Sequence, residues 1–386
     1  MALSLIVYIS LSLLLFALGW NVNRREQHHI RSGSKELPFY SWEILVSIIL
    51  ITLVMGFRFK TGSDYMMYWS LYNYLLHGEP VQRFGGIEIG FEFISKLMAT
   101  LRCHYIVFFS FWGALQATLL YYGLRHRKFL LPWIGLLLIL GPYAFNWFSF
   151  LRQWVVVCAF VPMTLLIEKR SFWLYSLLVL VLATIHWSAL LMLLLYFLPY
   201  QRLSSLSRKT YMLIFIACVM LGLKPYFMLI FKPLLSSIPL FTYERYRPML
   251  EGLVQGEFRW MGWGPLHIIT VFAQLVFIWF YNEIKESRPK DLLLPVFFVL
   301  SFFAVCYENL MRNTDHYLLR PVELMYAMVL IMIAYTFHYL YSTKKYLGLM
   351  CCLLPVVSYV FFNVLKCAQD PVGINNTVLY HFYFIK

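Results

Sequence analysis

The 386-residue chain is poor in charge: Asp, Glu, Lys and Arg make up 13% of it. A soluble domain carries roughly a quarter, so no soluble domain of useful size is expected. The apolar residues form solid blocks rather than an alternating pattern, which argues against a β-barrel. Carboxylates are the scarcer charge, 18 Asp and Glu against 32 Lys and Arg. The seven cysteines show no CxxC or other metal spacing, and Cys158, Cys218, Cys306, Cys351 and Cys352 lie inside apolar runs. They read as small core residues. Also lacking are an Asp-x-Asp pair, a His-x-x-His pair, a glycine-rich phosphate loop and a Gly-x-Ser-x-Gly elbow. No metal, no cofactor and no soluble-nucleotide site is expected.

What is present is hydrophobic: 61% of residues, with a mean hydropathy of +0.69. Many blocks reach the ~20 residues that cross a bilayer. The expected fold is a single all-α polytopic membrane domain over residues 1–386, with about 11–12 transmembrane segments. Spans are expected near 3–20, 40–57, 104–124, 129–147, 149–167, 171–199, 210–223, 265–281, 291–307, 321–341 and 346–362. The first lacks a preceding basic residue and a small-residue cleavage site, so it reads as a retained span.

The net charge of +14 does not point to nucleic acid. The cations cluster in short loops, where they orient the protein and touch anionic membrane lipid. One pair of loops sets a constraint. Residues 168–170 and 200–209 are both basic, so both belong on the inner side. The 29 residues between them must then cross an even number of times, yet they are too few for two full spans at ~1.5 Å per residue. A broken, re-entrant pair of half-helices meeting near Ile185-His186-Trp187 resolves the conflict. Such breaks survive at depth where protein or a wet cavity surrounds them. A single tilted helix is the alternative, and it would invert every later loop. With the hairpin, both termini face outside, as do loops near 58–103, 224–264 and 308–320. Most carboxylates fall on that side.

The stretch Arg58 to Tyr72 is the densest in chemistry. It places a cation, a Gly-Ser turn, Asp64 and four rings at a membrane surface. If Ser63 or Asp64 opens a helix, Tyr65, Tyr68, Trp69 and Tyr72 share one face. That suits a sugar phosphate on a lipid, or else an interfacial aromatic belt. Arg152 sits about one turn into a span, facing a cavity or snorkelling outward. His186 lies at the hairpin break and is a base or a partner for an exposed carbonyl. The second outer loop alternates Arg245 and Arg247 with tyrosines, fitting phosphate and sugar recognition or an amphipathic surface helix. The third offers Glu308, Arg312, Asp315, His316 and Arg320, as phosphate ligands or helix caps.

The order of these pieces resembles the EpsG family, related in role to Wzy-type polysaccharide polymerases. The matching residues are Arg58 with Gly62-Ser63-Asp64-Tyr65 and Tyr68, then Gly90-Phe91-Glu92-Phe93, Arg152-Gln153, and Ala183 to Leu190. The match covers roughly residues 40–200. It implies a polymerase of O-antigen or exopolysaccharide type in the bacterial inner membrane. Such an enzyme joins oligosaccharide units on undecaprenyl pyrophosphate at the outer face, without metal, beside a flippase and a chain-length regulator. On that reading Arg58, Arg152 and Arg245 hold the pyrophosphate, with Arg247 and Arg312 in reserve. Asp64 or His186 takes the acceptor proton, with Asp64 preferred because sugars arrive at its loop. Tyr65, Tyr68 and Trp69 stack on sugars. A lipid-linked oligosaccharide flippase and an O-antigen-ligase-like transferase are the rival readings.

Overall fold

The computed structural model describes residues 1–33, 37–79, 87–143, 145–224, 263–314, 316–369 and 378–384. Among them the chain is almost wholly helical. Helices α1 (Ala2–Arg31) and α2 (Trp42–Phe57) lead through strand β1 (Arg58–Phe59) into α3 (Tyr65–Leu76) and α4 (Ile89–Thr100). Then follow α5 (Tyr105–Gly123), α6 (Leu131–Leu140), the single turn α7 (Asn146–Ser149), α8 (Leu151–Glu168) and α9 (Phe172–Ala183). Two further single turns, α10 (Met192–Leu195) and α11 (Tyr200–Leu203), precede α12 (Arg208–Leu223). The rest comprises α13 (Pro265–Ser287), α14 (Leu294–Met311), α15 (Arg320–Glu323), α16 (Tyr326–Ser342), α17 (Tyr346–Gln369) and β2 (His381–Phe382).

Six of these helices are long and apolar enough to cross a membrane: α1, α5, α8, α13, α14 and α17. Shorter apolar helices fill the spans expected at 40–57 and 321–341 and the first part of those at 129–147 and 171–199, and α12 lies over that at 210–223. The polytopic all-α architecture is therefore present. One span differs from expectation. Residues 129–147 do not form one helix, because Gly141-Pro142 ends α6 after ten residues. At 1.5 Å per residue α6 is about 15 Å long, half a bilayer core.

The core sits where helices are apolar on every side. All ten residues of α6 are buried, as are 14 of the 17 in α16. A helix without a polar stripe has no face for water and is enclosed by others. α1 closes on α6 through glycine: a Cβ on Gly19 would meet the Leu131 carbonyl carbon at 2.6 Å, and one on Gly135 would meet that of Leu15 at 2.8 Å. Small residues let backbones approach where water supplies no hydrophobic drive. Cys158, Cys306 and Cys352 are buried as expected. Cys351 is exposed and Cys218 half-buried, so these two are not core residues. Hydropathy marks an apolar helix without telling its protein face from its lipid face.

The basic loops gather on one side. Lys128 Nζ reaches both carboxylate oxygens of Glu26 at 3.0 Å and the Leu37 carbonyl at 2.7 Å. Arg127 pairs with Asp291, which also accepts from Tyr335 at 2.5 Å. Arg208 pairs with Glu283 at 2.5 Å, and Lys285 donates to the Ser204 carbonyl at 2.8 Å. On the opposite side the two ends of the chain meet. Tyr8 donates to the Val378 carbonyl at 2.6 Å, and the Tyr380 N–H to Ser4 Oγ at 2.9 Å. There β2 pairs antiparallel with β1, Arg58 opposite Phe382.

The hairpin between 171 and 199 follows from this arrangement. α9 ends at Ala183, Thr184–His186 turn, and a 3-10 segment (Trp187–Leu191) runs back with α10 along α9. Tyr175 donates to the Met192 carbonyl at 2.7 Å. The Phe172 and Phe197 rings lie 5.6 Å apart, so entry and exit share one level. In a cysteine-free background, Arg170→Cys and Arg202→Cys should label with a membrane-impermeant maleimide from the same side, and Ser63→Cys from the other. Labelling of Arg170→Cys and Arg202→Cys from opposite sides would replace the hairpin with a single crossing.

Candidate functional site

On the side where the termini meet, one carboxylate organises the surroundings. Glu88 occupies the N-cap position of α4. Its Oε2 pairs with Arg152 Nη1, at the first turn of α8. Its Oε1 accepts from the Trp187 N–H at 3.2 Å and lies 2.8 Å from His186 Nδ1. Thus α4, α8 and the hairpin tip converge on one side chain. The three side chains are 6%, 19% and 16% exposed for Glu88, Arg152 and His186, so the node is largely shielded from solvent.

Local chemistry explains the convergence. The unwound Thr184 leaves its carbonyl free of the helix ladder. The N–H groups of Gly90 and Phe91, free because they open α4, donate to it at 2.8 and 3.2 Å. Each irregular end satisfies the other. Gly90 is obligatory, since a Cβ there would lie 2.3 Å from Thr184 Oγ1. Burial works against ionising Glu88, yet the His186 hydrogen bond and the Arg152 charge together hold its carboxyl below the usual carboxylate range. A carboxylate on Nδ1 favours the imidazole tautomer with Nε2 as its acceptor.

Arg152 also lies over Tyr68, 5.8 Å from the ring centroid, and 5.4 Å from that of Phe91. Asp64 precedes α3, half-buried, and accepts from Ser63 Oγ at 3.1 Å. Burial raises the Tyr68 hydroxyl; Arg152 opposes the rise and the Asp64 charge adds to it. Asp64, Tyr68, Glu88, Arg152 and His186 therefore form one neighbourhood.

The other sequence candidates are placed differently. Arg58 is fully buried, donating through Nη1 to the Thr61 carbonyl at 3.0 Å and to the Phe148 carbonyl. The rings of Phe109, Phe148 and Tyr65 surround it at 5.0, 5.4 and 5.5 Å. Burial pushes it down to about 10, so it stays a cation at neutral pH. In this arrangement it fastens the 58–64 loop to α7. The α3 aromatic face exists as expected but is spent on packing. Tyr65 stacks on Phe109 at 4.6 Å and Tyr72 on Phe108 at 4.3 Å. Trp69, stacked on Tyr105 at 5.2 Å, stays half-buried. Rings of this area gain more from a protein partner than from the interface. Arg245, Arg247 and Asp315 lie outside the described residues.

Arg312 borders a cleft of about 620 Å³ between α13, α14 and α17, with Glu308, Glu323 and Lys366 also in its wall. Glu323 and Tyr326 also line a small pocket with Gln153, the residue after Arg152, which brings the cleft close to the Glu88 node. Glu88 is the site residue that the sequence does not mark, apart from its place two residues before Gly90. Glu92 pairs with Lys96 along α4. Among the described residues no three His, Cys, Asp or Glu side chains gather as a metal would require.

The EpsG family pattern matches residues 42–381. The chain therefore belongs to the EpsG family of membrane proteins of polysaccharide biosynthesis. No curated protein and no solved structure matches it.

The node has a stability signature. A carboxyl depressed on folding stabilises the fold above its unfolded pKa and loses that contribution as pH falls through its folded pKa. For Glu88 the loss falls below about pH 4.3. Glu88→Ala should cost about 3–5 kcal/mol at neutral pH, because Arg152 is left buried without its partner. The midpoint of thermal denaturation in detergent measures it, and Glu88→Gln should lack the acid-dependent loss. An unchanged midpoint in Glu88→Ala would remove the node from this account.

Proposed function

We propose that this EpsG family member is a polysaccharide polymerase, a glycosyltransferase acting on the outer face of a bacterial inner membrane. It joins oligosaccharide units carried on a lipid pyrophosphate, of which undecaprenyl pyrophosphate is the expected form. The observation that carries the reading is Arg152. It is a guanidinium held at the first turn of an apolar helix by Glu88, on the membrane face away from the basic loops, beside Asp64 and a cleft.

The chemistry needs few groups. The bond from the donor's anomeric carbon to the pyrophosphate oxygen breaks, and a bond to the acceptor's hydroxyl oxygen forms. The leaving pyrophosphate gains negative charge, and a fixed guanidinium aimed there stabilises the transition state more than the ground state. Arg152 fills that role, and its pairing with Glu88 fixes its direction before substrate arrives. The acceptor proton goes to Asp64, half-buried at the rim of the same neighbourhood. His186 acts through Glu88 to order Arg152. Trp69 is the aromatic candidate with surface left for a sugar. Basic loops on the opposite side support an outward-facing site, by the positive-inside rule.

The direct assay supplies purified protein with lipid-linked repeat units and no nucleotide sugar. A ladder of longer glycans is expected. Arg152→Ala should lower its rate about 10²–10³-fold, the usual cost of losing a transition-state donor. Asp64→Asn should lower kcat with little change in KM, since the proton acceptor acts in the chemical step. A ladder unchanged in Arg152→Ala removes that residue from the mechanism, and one abolished by chelator overturns the metal-independent form.

A further inference from the structure

A polymerase of this kind has two large substrates, and the Glu88 node accounts for one. The start of α8 divides two environments. Arg152 faces Glu88 and Tyr68, whereas the next residue, Gln153, donates to the Arg320 carbonyl at 3.3 Å and faces Glu323 and Tyr326. Beyond Gln153 lies the cleft of about 620 Å³. That volume falls within the ~300–1,000 Å³ typical of ligand sites.

The cleft is graded along its depth. Lys366 and Phe362 are exposed, Arg312 and Glu308 half-buried, and Glu323 and Tyr326 buried. Cations thus stand nearer the mouth and carboxylates run toward the interior. The Glu308 carboxylate is oriented by its neighbours: Tyr143 and Gln274 donate to its Oε2 at 2.7 and 3.0 Å. Gln274 is itself held by Asn309, at 2.7 Å. With both donors on Oε2, Oε1 is available to a hydroxyl. Phosphate suits the Arg312 and Lys366 end, sugar hydroxyls suit the oriented carboxylate, and Phe362 offers a prenyl chain an apolar flank.

We infer that this cleft is a second substrate site, binding the phosphate and first sugars of a lipid-linked glycan. On the polymerase reading, its occupant is the acceptor. Glu323 lies in the cleft wall and shares a small pocket with Gln153, the chain neighbour of Arg152. The acceptor hydroxyl then meets the donor where the two sites adjoin, at the end of α8.

Binding of a prenyl diphosphate to the purified protein in neutral detergent tests the inference without requiring turnover. Two sites are expected. Arg312→Ala and Lys366→Ala should weaken one of them roughly ten- to hundredfold, as for loss of a charge-assisted hydrogen bond. Arg152→Ala should weaken the other. Lys366 is exposed, so its replacement keeps the test open if Arg312→Ala fails to fold. Inorganic pyrophosphate and phosphatidylglycerol separate the ligand sources. Weak competition by both supports a lipid-linked phosphate; full competition by phosphatidylglycerol marks a general anionic-lipid site and overturns the assignment. A single site untouched by Arg312→Ala and Lys366→Ala also overturns it, even if the protein polymerises. Two sites in a protein that makes no polymer would leave the cleft assigned and the polymerase reading refuted.

Discussion

A carboxylate buried at the edge of a membrane protein is stable only when charge and hydrogen bonds replace the water it has lost. Glu88 meets that condition with Arg152, the Trp187 N–H and His186, drawn from two other parts of the chain. The pairing also settles two helix ends. As an anion at the N-terminus of α4, Glu88 sits where the helix dipole favours it. Arg152 is a cation in the first turn of α8, where the dipole opposes it, and the Glu88 charge offsets that. The hairpin break is tolerated because α4 donates two free N–H groups to the Thr184 carbonyl. Remove the carboxylate and three irregular features lose their mutual support.

The same economy separates the two membrane faces. The basic side is closed by ion pairs between loops, Lys128 with Glu26, Arg127 with Asp291 and Arg208 with Glu283. Its cations are committed to protein partners as well as to orientation. The other side is closed by backbone pairing, with the C-terminal strand laid against Arg58–Phe59 and Thr61 donating to the Leu379 carbonyl at 3.0 Å. Asp64, Arg152, Glu308, Arg312 and Glu323 stand around the cleft and the node. A site for an anionic, sugar-bearing lipid needs this combination of fixed cations, oriented carboxylates and access from the bilayer.

The aromatic face of α3 shows where sequence reasoning stopped. Its period placed Tyr65, Tyr68, Trp69 and Tyr72 together, and they are together. Periodicity states which residues share a face, however, and not what that face meets. α5 meets it, with Phe108 and Phe109, and takes most of it into the core. Arg58 is similar: its cation was legible at a span's end, but its enclosure by three rings and two carbonyls depended on how α3, α5 and α7 pack around it.

The sequence by itself determined most of the spans and the hairpin at His186. Each rests on local hydropathy or on the charge of short loops, which act through the bilayer wherever the helices pack. Only the tertiary structure decided that Glu88 joins Arg152 and His186, 64 and 98 residues further along the chain. It also decided that Gln153 looks away from Arg152 toward Glu323 and Tyr326 in the cleft wall. Those relations depend on which helix ends come to lie at the same depth, and hydropathy is blind to that. A lone glutamate in a loop carries no mark of its partners until packing strips its water and makes it need them.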